Sequence, residues 1–358
     1  MENQELTLPI ISIAPYLSPV SDGTSTKLRK ETSAALHDAC VKYGFFYLDI
    51  SSYIDASETD ELMRLAREFF ALPQAEKDCL SLKNEDHARG YARLHENVTA
   101  GKADNHEGLD FYRPVEAPEK NRPLWGNNQW PSVPSFRVKY ERWVEKMKAL
   151  GLIVMEAMAV GLDMNANEWH DLRSKVDDSF WVLRVIGYPS LPDHHDGISC
   201  GAHKDYGCLT FLYADPTPSA LQVFLHGKSP LPLNGAASTP QVMNGTWINA
   251  DPVPGCVVCN IGEMWEIWTR GLYKSTLHRV IHRGSNYSIP FFFEPNFDAV
   301  VEPLPAALRI LELQNKETER LPESEGAVRR KKYHCVVYGD FLLKKVGNNF
   351  ASGKGKYA

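Results

Sequence analysis

The chain of 358 residues lacks any apolar run long enough to span a bilayer. The longest run, Leu150 to Leu162, is interrupted by Glu156 and reads as a core helix. It also lacks a basic, apolar leader. Met1-Glu2-Asn3-Gln4-Glu5 is polar and acidic, so no secretory signal is expected and a cytoplasmic location is. A surplus of positive charge is missing too. Lys and Arg number 39 against 45 Asp and Glu, a net charge of −6, which gives no electrostatic reason to expect nucleic acid or an anionic membrane as partner. There is no paired-cysteine framework: the 7 cysteines are odd in number and scattered, as expected of reduced thiols. Cys256-x-x-Cys259 would need two further ligands to make a structural zinc site, and the intervening Val257-Val258 reads as buried strand. No internal repeat is present. What remains is an ordinary globular composition, 43% apolar and 23% charged, on a chain long enough to bury a sizeable core.

Helices flank a β-rich centre. Leu6 to Ile13 has strand composition, with Pro9 confining it to an edge or to a start after the proline. Thr26 to Tyr43 reads as a helix ended by Gly44, followed by a strand from Phe45 to Ile50. Ser57 is the expected N-cap of a second helix whose apolar stripe is Leu62, Leu65, Ala66, Phe69 and Phe70, ending at Pro73. Residues 84–122 are polar and poorly periodic and read as loop. A long helix is expected from Phe136 to Leu162, with Trp143, Met147, Leu150, Val154, Ala157 and Met158 at helical spacing. From Phe180 to Phe293 short apolar segments alternate with Gly, Pro and Asn, the pattern of a β-barrel or jelly roll, interrupted by a loop from Gly227 to Gly245. A short helix at Leu308–Leu313, a basic but solvated cluster at Arg329–Lys332 and a C-terminal helix from Tyr338 complete the reading.

The chemistry centres on Gly201-Ala202-His203-Lys204-Asp205-Tyr206-Gly207. On a strand, residues i and i+2 share a face, so His203 and Asp205 would converge on one point. His278, in Ser275-Thr276-Leu277-His278-Arg279-Val280, is the best candidate for a third ligand, with His282 as its rival. Two His and one carboxylate on one side of a metal leave the other positions open, as suits non-haem Fe(II). A bare His-x-Asp is also met in solvated turns. Here it is followed by the strand-like run Cys208 to Tyr213 and preceded by Leu183 to Tyr188-Pro189. His194 and His195 lie in a polar turn and are expected to face solvent.

The order of Tyr188-Pro189, His203-x-Asp205, Pro254-Gly255 to Asn260-Ile261-Gly262, His278-Arg279-Val280 and Ser288-x-Pro290-Phe291 resembles the Fe(II)/2-oxoglutarate-dependent dioxygenases of the isopenicillin N synthase-like superfamily, over nearly the whole chain. The resemblance implies a mainly β fold with flanking helices around a double-stranded β-helix (jelly-roll) core. It implies a single domain: residues 1–135 as an N-terminal and flap region, 136–179 as the backbone helix region, 180–298 as the core and 299–358 as a helical tail. It implies iron on His203, Asp205 and His278, with 2-oxoglutarate and O₂ as co-substrates. The reaction would be hydroxylation or desaturation of a small organic molecule, coupled to formation of succinate and CO₂. In the family an Arg-x-Ser pair and a Tyr hold the far carboxylate of 2-oxoglutarate. Tyr188 and Ser288 match, but the Arg position is Asn286. A neutral amide cannot supply the two parallel charged bonds of a guanidinium. Either Arg283 reaches in, or 2-oxoglutarate binds weakly, or the carboxylate partner is different. Arg184, four residues before Tyr188 on the same strand face, is a candidate for substrate or for a structural ion pair. Tyr206 is a candidate for the pocket wall, and so is Phe292, which could equally be plain core. Two alternatives stay open: an iron oxidase of this fold that does not use 2-oxoglutarate, and a metal-binding protein that has lost turnover.

Overall fold

The computed structural model describes residues 7–120, 122–192, 197–226, 245–318 and 333–346. Its frame is an eight-stranded sheet in the order Ile10–Ser12, Phe45–Asp49, Cys256–Ile261, Leu209–Ala214, Asn286–Phe293, Val182–Tyr188, Glu107–Tyr112, Gly90–Ala92. Only the first pair is parallel. A second sheet runs Gly245–Asn249, Leu221–His226, His278–Ile281, Ile198–His203, all antiparallel. Strands from both halves of the sequence thus enter one large sheet, and the second sheet closes over it as the double-stranded β-helix.

The large sheet is buried by helices because its outer face is apolar. Helix Phe136–Gly161 inserts Trp143, Met147, Leu150, Val154, Ala157 and Met158, all buried, at the spacing read from the sequence. It comes so close that a Cβ on Gly151 would lie 2.3 Å from the Phe293 ring, so this helix position must be glycine. Helix Gly23–Lys42 ends as expected at Gly44, whose φ is +67°. A side chain there would also strike the Lys274 carbonyl at 1.9 Å.

Three expectations need correction, while the reading of Cys256 and Cys259 as reduced thiols on a strand agrees with the structure. The cap of helix Ala56–Phe70 is Asp55, whose carboxylate accepts from the Ser57 N–H; a carboxylate can fill that place as well as a hydroxyl. Residues 84–122 are not merely loop. Gly90–Ala92 and Glu107–Tyr112 are buried strands of the large sheet, and a small hairpin pairs Val98–Thr99 with Lys102–Ala103. Their polar residues are buried because they meet partners: Glu107 binds Lys77, and Asp110 binds Arg184. The helix expected at Leu308–Leu313 extends over Pro305–Thr318. Cys256 and Cys259 are free thiols on one strand, three positions apart and so on opposite faces. His194, His195, most of the Gly227–Gly245 loop and the Arg329–Lys332 cluster lie outside the described residues.

Candidate metal centre and its two cavities

His203 and His278 face each other directly across the second sheet, as paired residues of antiparallel strands. Asp205 arrives by a different route from the one the spacing suggests. The strand ends at His203, so strand alternation does not place Asp205. Hydrogen bonds do. The Asp205 Oδ2 atom accepts from the Thr210 hydroxyl and from Asn260 Nδ2 at 2.6 Å, both reaching over from the large sheet. Its Oδ1 atom is left pointing at the histidines, 3.6 Å from Nε2 of each. One donor atom from each of His203, Asp205 and His278 lies within 4.8 Å of the others, and among the described residues this is the one such cluster.

The donor set fits a divalent iron. In both rings Nδ1 donates to a backbone carbonyl, His203 to Gly201 at 2.8 Å and His278 to Thr276 at 3.1 Å. That fixes the tautomer and turns the Nε2 lone pairs to the common point. Without an ion the rings are driven apart in charge. Burial and the neighbouring His203 push His278 down to about 4. His203, against its own burial, is pushed up to about 10 by the Cys200 sulfur and the Asp205 carboxylate. When bound, the iron supplies the oxidising chemistry at the three positions that this half-shell of ligands leaves open.

His282, the rival ligand, is turned away. It follows the end of its strand, the pairing between Val280 and Ile281 is irregular, and its Nδ1 lies 2.9 Å from the Ser199 hydroxyl.

Two cavities hold the expected site residues, and the metal ligands His203 and Asp205 line the first. The first, of about 440 Å³, is lined by His203, Asp205, Tyr206, Arg184 and Phe292, so these expected residues are brought together. Sequence reasoning missed others that line it: Asn97, Asp104, Asp110 and Glu294. Arg184 donates through Nε to Asp110 at 2.9 Å and through a terminal nitrogen to Asn97 at 3.2 Å. Burial raises the Asp110 carboxyl, and the guanidinium opposes that rise. Asp104 is buried and accepts from the Thr99 hydroxyl at 2.7 Å; among the described residues no Lys or Arg bridges it. Burial pushes Glu294 up to about 8, so it is largely protonated at neutral pH. None of the four stands in a recognisable motif. The one available signal was the apolar alternation of Glu107 to Tyr112, hidden by the polar segment around it.

The second cavity, of about 530 Å³, contains Tyr188, Asn286 and Ser288. The Tyr188 and Ser288 hydroxyls lie 3.1 Å apart, and burial keeps the phenol protonated. Asn286 sits opposite Tyr188 in the sheet, and its buried Oδ1 has no hydrogen-bond partner. Arg283 does not reach in. It is exposed, and its Nε donates to the Ser219 carbonyl at 3.0 Å, because the turn at Gly284 carries it outside the strand. Arg279 is likewise spent, donating to Gln222 and lying over the Trp247 ring. Among the described residues this cavity therefore brings together two hydroxyls and an amide but no Lys or Arg.

Comparison with known proteins accords with the metal centre. Residues 8–133 match the family described as non-haem dioxygenase in morphine synthesis, N-terminal, and residues 178–295 match the 2OG-Fe(II) oxygenase superfamily. The homoarginine-6-hydroxylase 2-ODD-C23 of Glycine max is 36% identical over 358 residues, covering 96% of this chain and 97% of its own. The homoarginine-6-hydroxylase 2-ODD-233 of Oryza sativa is 34% identical over 355 residues, covering 96% and 97%. Among solved structures, full-length Neurospora crassa T7H in complex with alpha-KG superposes with a TM-score of 0.72 at 26% identity, covering 97% of each chain. No helix among the described residues is long and apolar enough to cross a membrane. With relatives matched end to end and the His-x-Asp…His half-shell intact, the chain belongs to the 2OG-Fe(II) oxygenase superfamily and is an Fe(II)/2-oxoglutarate-dependent dioxygenase.

Proposed function

We propose that the enzyme hydroxylates a small amino acid bearing a basic side chain. The observation that carries this reading is the presence of both Arg184 and Asp104 in the lining of the cavity that His203 and Asp205 also line. A guanidinium has five N–H donors, and Arg184 commits only some of them to Asp110 and Asn97. The rest are available to a substrate carboxylate, as a two-pronged charged contact. Asp104 offers a buried negative charge to the substrate's cationic end. A cavity holding both signs selects a zwitterion, because an uncharged molecule would leave the remaining Arg184 donors unused and Asp104 without an opposite charge. The relatives named homoarginine-6-hydroxylases act on a substrate of this chemical class and match 96% of the chain. Tyr206 and Phe292 form apolar walls that hold the aliphatic stem against the metal side. His203, Asp205 and His278 hold the iron, and Tyr188 and Ser288 receive the tail of the 2-oxo acid.

The test is a panel of amino acids offered to the Fe(II)-loaded enzyme with 2-oxoglutarate in air, with a gain of one oxygen atom in the amino acid and the matching release of succinate followed by mass spectrometry. Homoarginine, arginine and lysine are expected to be converted and their uncharged isosteres, norleucine and citrulline, are not. Conversion of the uncharged set alone would overturn the reading. An Arg184→Gln variant is expected to raise KM for the amino acid but not for its decarboxylated amine.

A further inference from the structure

The second cavity has the wrong electrostatics for a dicarboxylate. Its walls are largely aliphatic: Ile54, Leu212, Leu221, Val258 and Val280 line it. Among the described residues no Lys or Arg does, whereas Asp55, Asp60 and Asp215 are part of the lining. The nearby Arg67 is engaged with Asp215 at 2.5 Å and is not part of the lining. A carboxylate moved from water into such a place would meet the Asp55 and Asp60 carboxylates and an Asp215 already paired with Arg67, with no cation of its own among the described lining, a cost that two neutral hydroxyls only partly offset.

The cavity nevertheless shares a strand with the metal centre. Val280 lies two residues from His278 on a strand that pairs regularly with Leu221–His226. Residues two apart share a face at a spacing of about 7 Å, the length of a short acid chain. At the far end stand the Tyr188–Ser288 hydroxyl pair and the unpartnered Asn286 Oδ1. A buried amide oxygen without a partner marks a place where a ligand supplies a donor.

We infer that this cavity accepts 2-oxo acids with an uncharged tail, which bind at least as tightly as 2-oxoglutarate. The inference rests on the enzyme being an oxygenase that uses a 2-oxo acid, and it concerns only what the tail of that acid may be. Aliphatic walls favour a branched hydrocarbon tail by apolar burial. Asn286, Ser288 and Tyr188 favour an amide, which can donate to Asn286 Oδ1 and accept from a hydroxyl. Either tail avoids placing a charge beside Asp215.

The experiment is anaerobic titration of the Fe(II)-loaded protein, followed by the visible charge-transfer absorption of the chelated 2-oxo acid and by calorimetry. Three acids are compared: 2-oxoglutarate, its C5 amide (2-oxoglutaramate), and 4-methyl-2-oxopentanoate. At least one uncharged acid is expected to bind as tightly as 2-oxoglutarate or tighter. Tighter binding of 2-oxoglutarate than of both others overturns the inference. Fe(II) binding is measured separately beforehand, so loss of the metal site cannot be confused with a change of tail preference. Asn286→Arg is the second test. A restored guanidinium is expected to shift the ratio of affinities toward 2-oxoglutarate by about tenfold or more, and an unchanged ratio overturns the inference. If that variant does not fold, the wild-type comparison decides alone.

Discussion

The cavity at the iron site and the cavity around Tyr188 differ in how their polar groups are satisfied. Over the metal, charges are many and mostly matched: Arg184 with Asp110, Lys204 with Glu266, Lys345 with Glu263. Around Tyr188, the described lining carries Asp55, Asp60 and Asp215 but no Lys or Arg, and an amide oxygen is left alone. The metal ligands are held with every outward-facing atom hydrogen-bonded. The difference shows which part of the enzyme is bound to a fixed chemistry. Iron needs three donors in one geometry, so that shell is complete. The acid tail needs only space and a tolerable polarity, so its pocket can change.

The sharpest way to break the comparison is to remove the metal. Asp205→Ala deletes the ligand that both histidines face, and a loss of turnover of about a thousandfold or more is expected, with Fe(II) binding lost in equilibrium titration. Retained Fe(II) affinity in that variant would place the metal elsewhere. Next in size is the matched pair of the substrate cavity. Arg184→Ala strands a buried Asp110 and is expected to cost about 3 kcal/mol of stability in urea unfolding. Combining Arg184→Met with Asp110→Leu is expected to regain most of that stability without regaining substrate affinity. If the double variant binds substrate normally, the pair is structural only.

Asn260→Ala removes one bond that aims Asp205. A decrease in metal affinity of about ten- to a hundredfold is expected, measured by competition with a chelator, with the fold intact by circular dichroism. The smallest effect belongs to the second cavity. Ser288→Ala removes one neutral hydroxyl, and 2-oxo acid affinity should fall by about fivefold, the share of one uncharged hydrogen bond. A loss of a hundredfold would show that Ser288 holds a charge, and would narrow the contrast between the two cavities.

Much of this was legible in the chain. The stripe Trp143, Met147, Leu150, Val154 and Met158 announces its helix because burial of one face repeats every turn. His203, Asp205 and His278 are legible because iron restricts the residue types it accepts. Yet the alternation argument for Asp205 reached the right residue by the wrong path, since the strand stops at His203 and Thr210 and Asn260 do the positioning. Asp104 and Asp110 were not legible. Their importance arises from Thr99 and Arg184, which are distant in sequence or carry no motif, and a polar segment reads as solvated until its partners are known.

Sequence alone determined the iron ligands, the helix-flanked β core and the substitution of Asn286 for a cation, because each depends on residue identity or on local period. It could not decide whether another cation would take the vacated role. That depended on where Arg283, Arg279 and Arg67 are carried by their turns and pairings, and only the tertiary structure shows the first two engaged outside the cavity and Arg67 held by Asp215 of its lining. A charge acts over the distance that folding sets, and that distance is not written in the order of the residues.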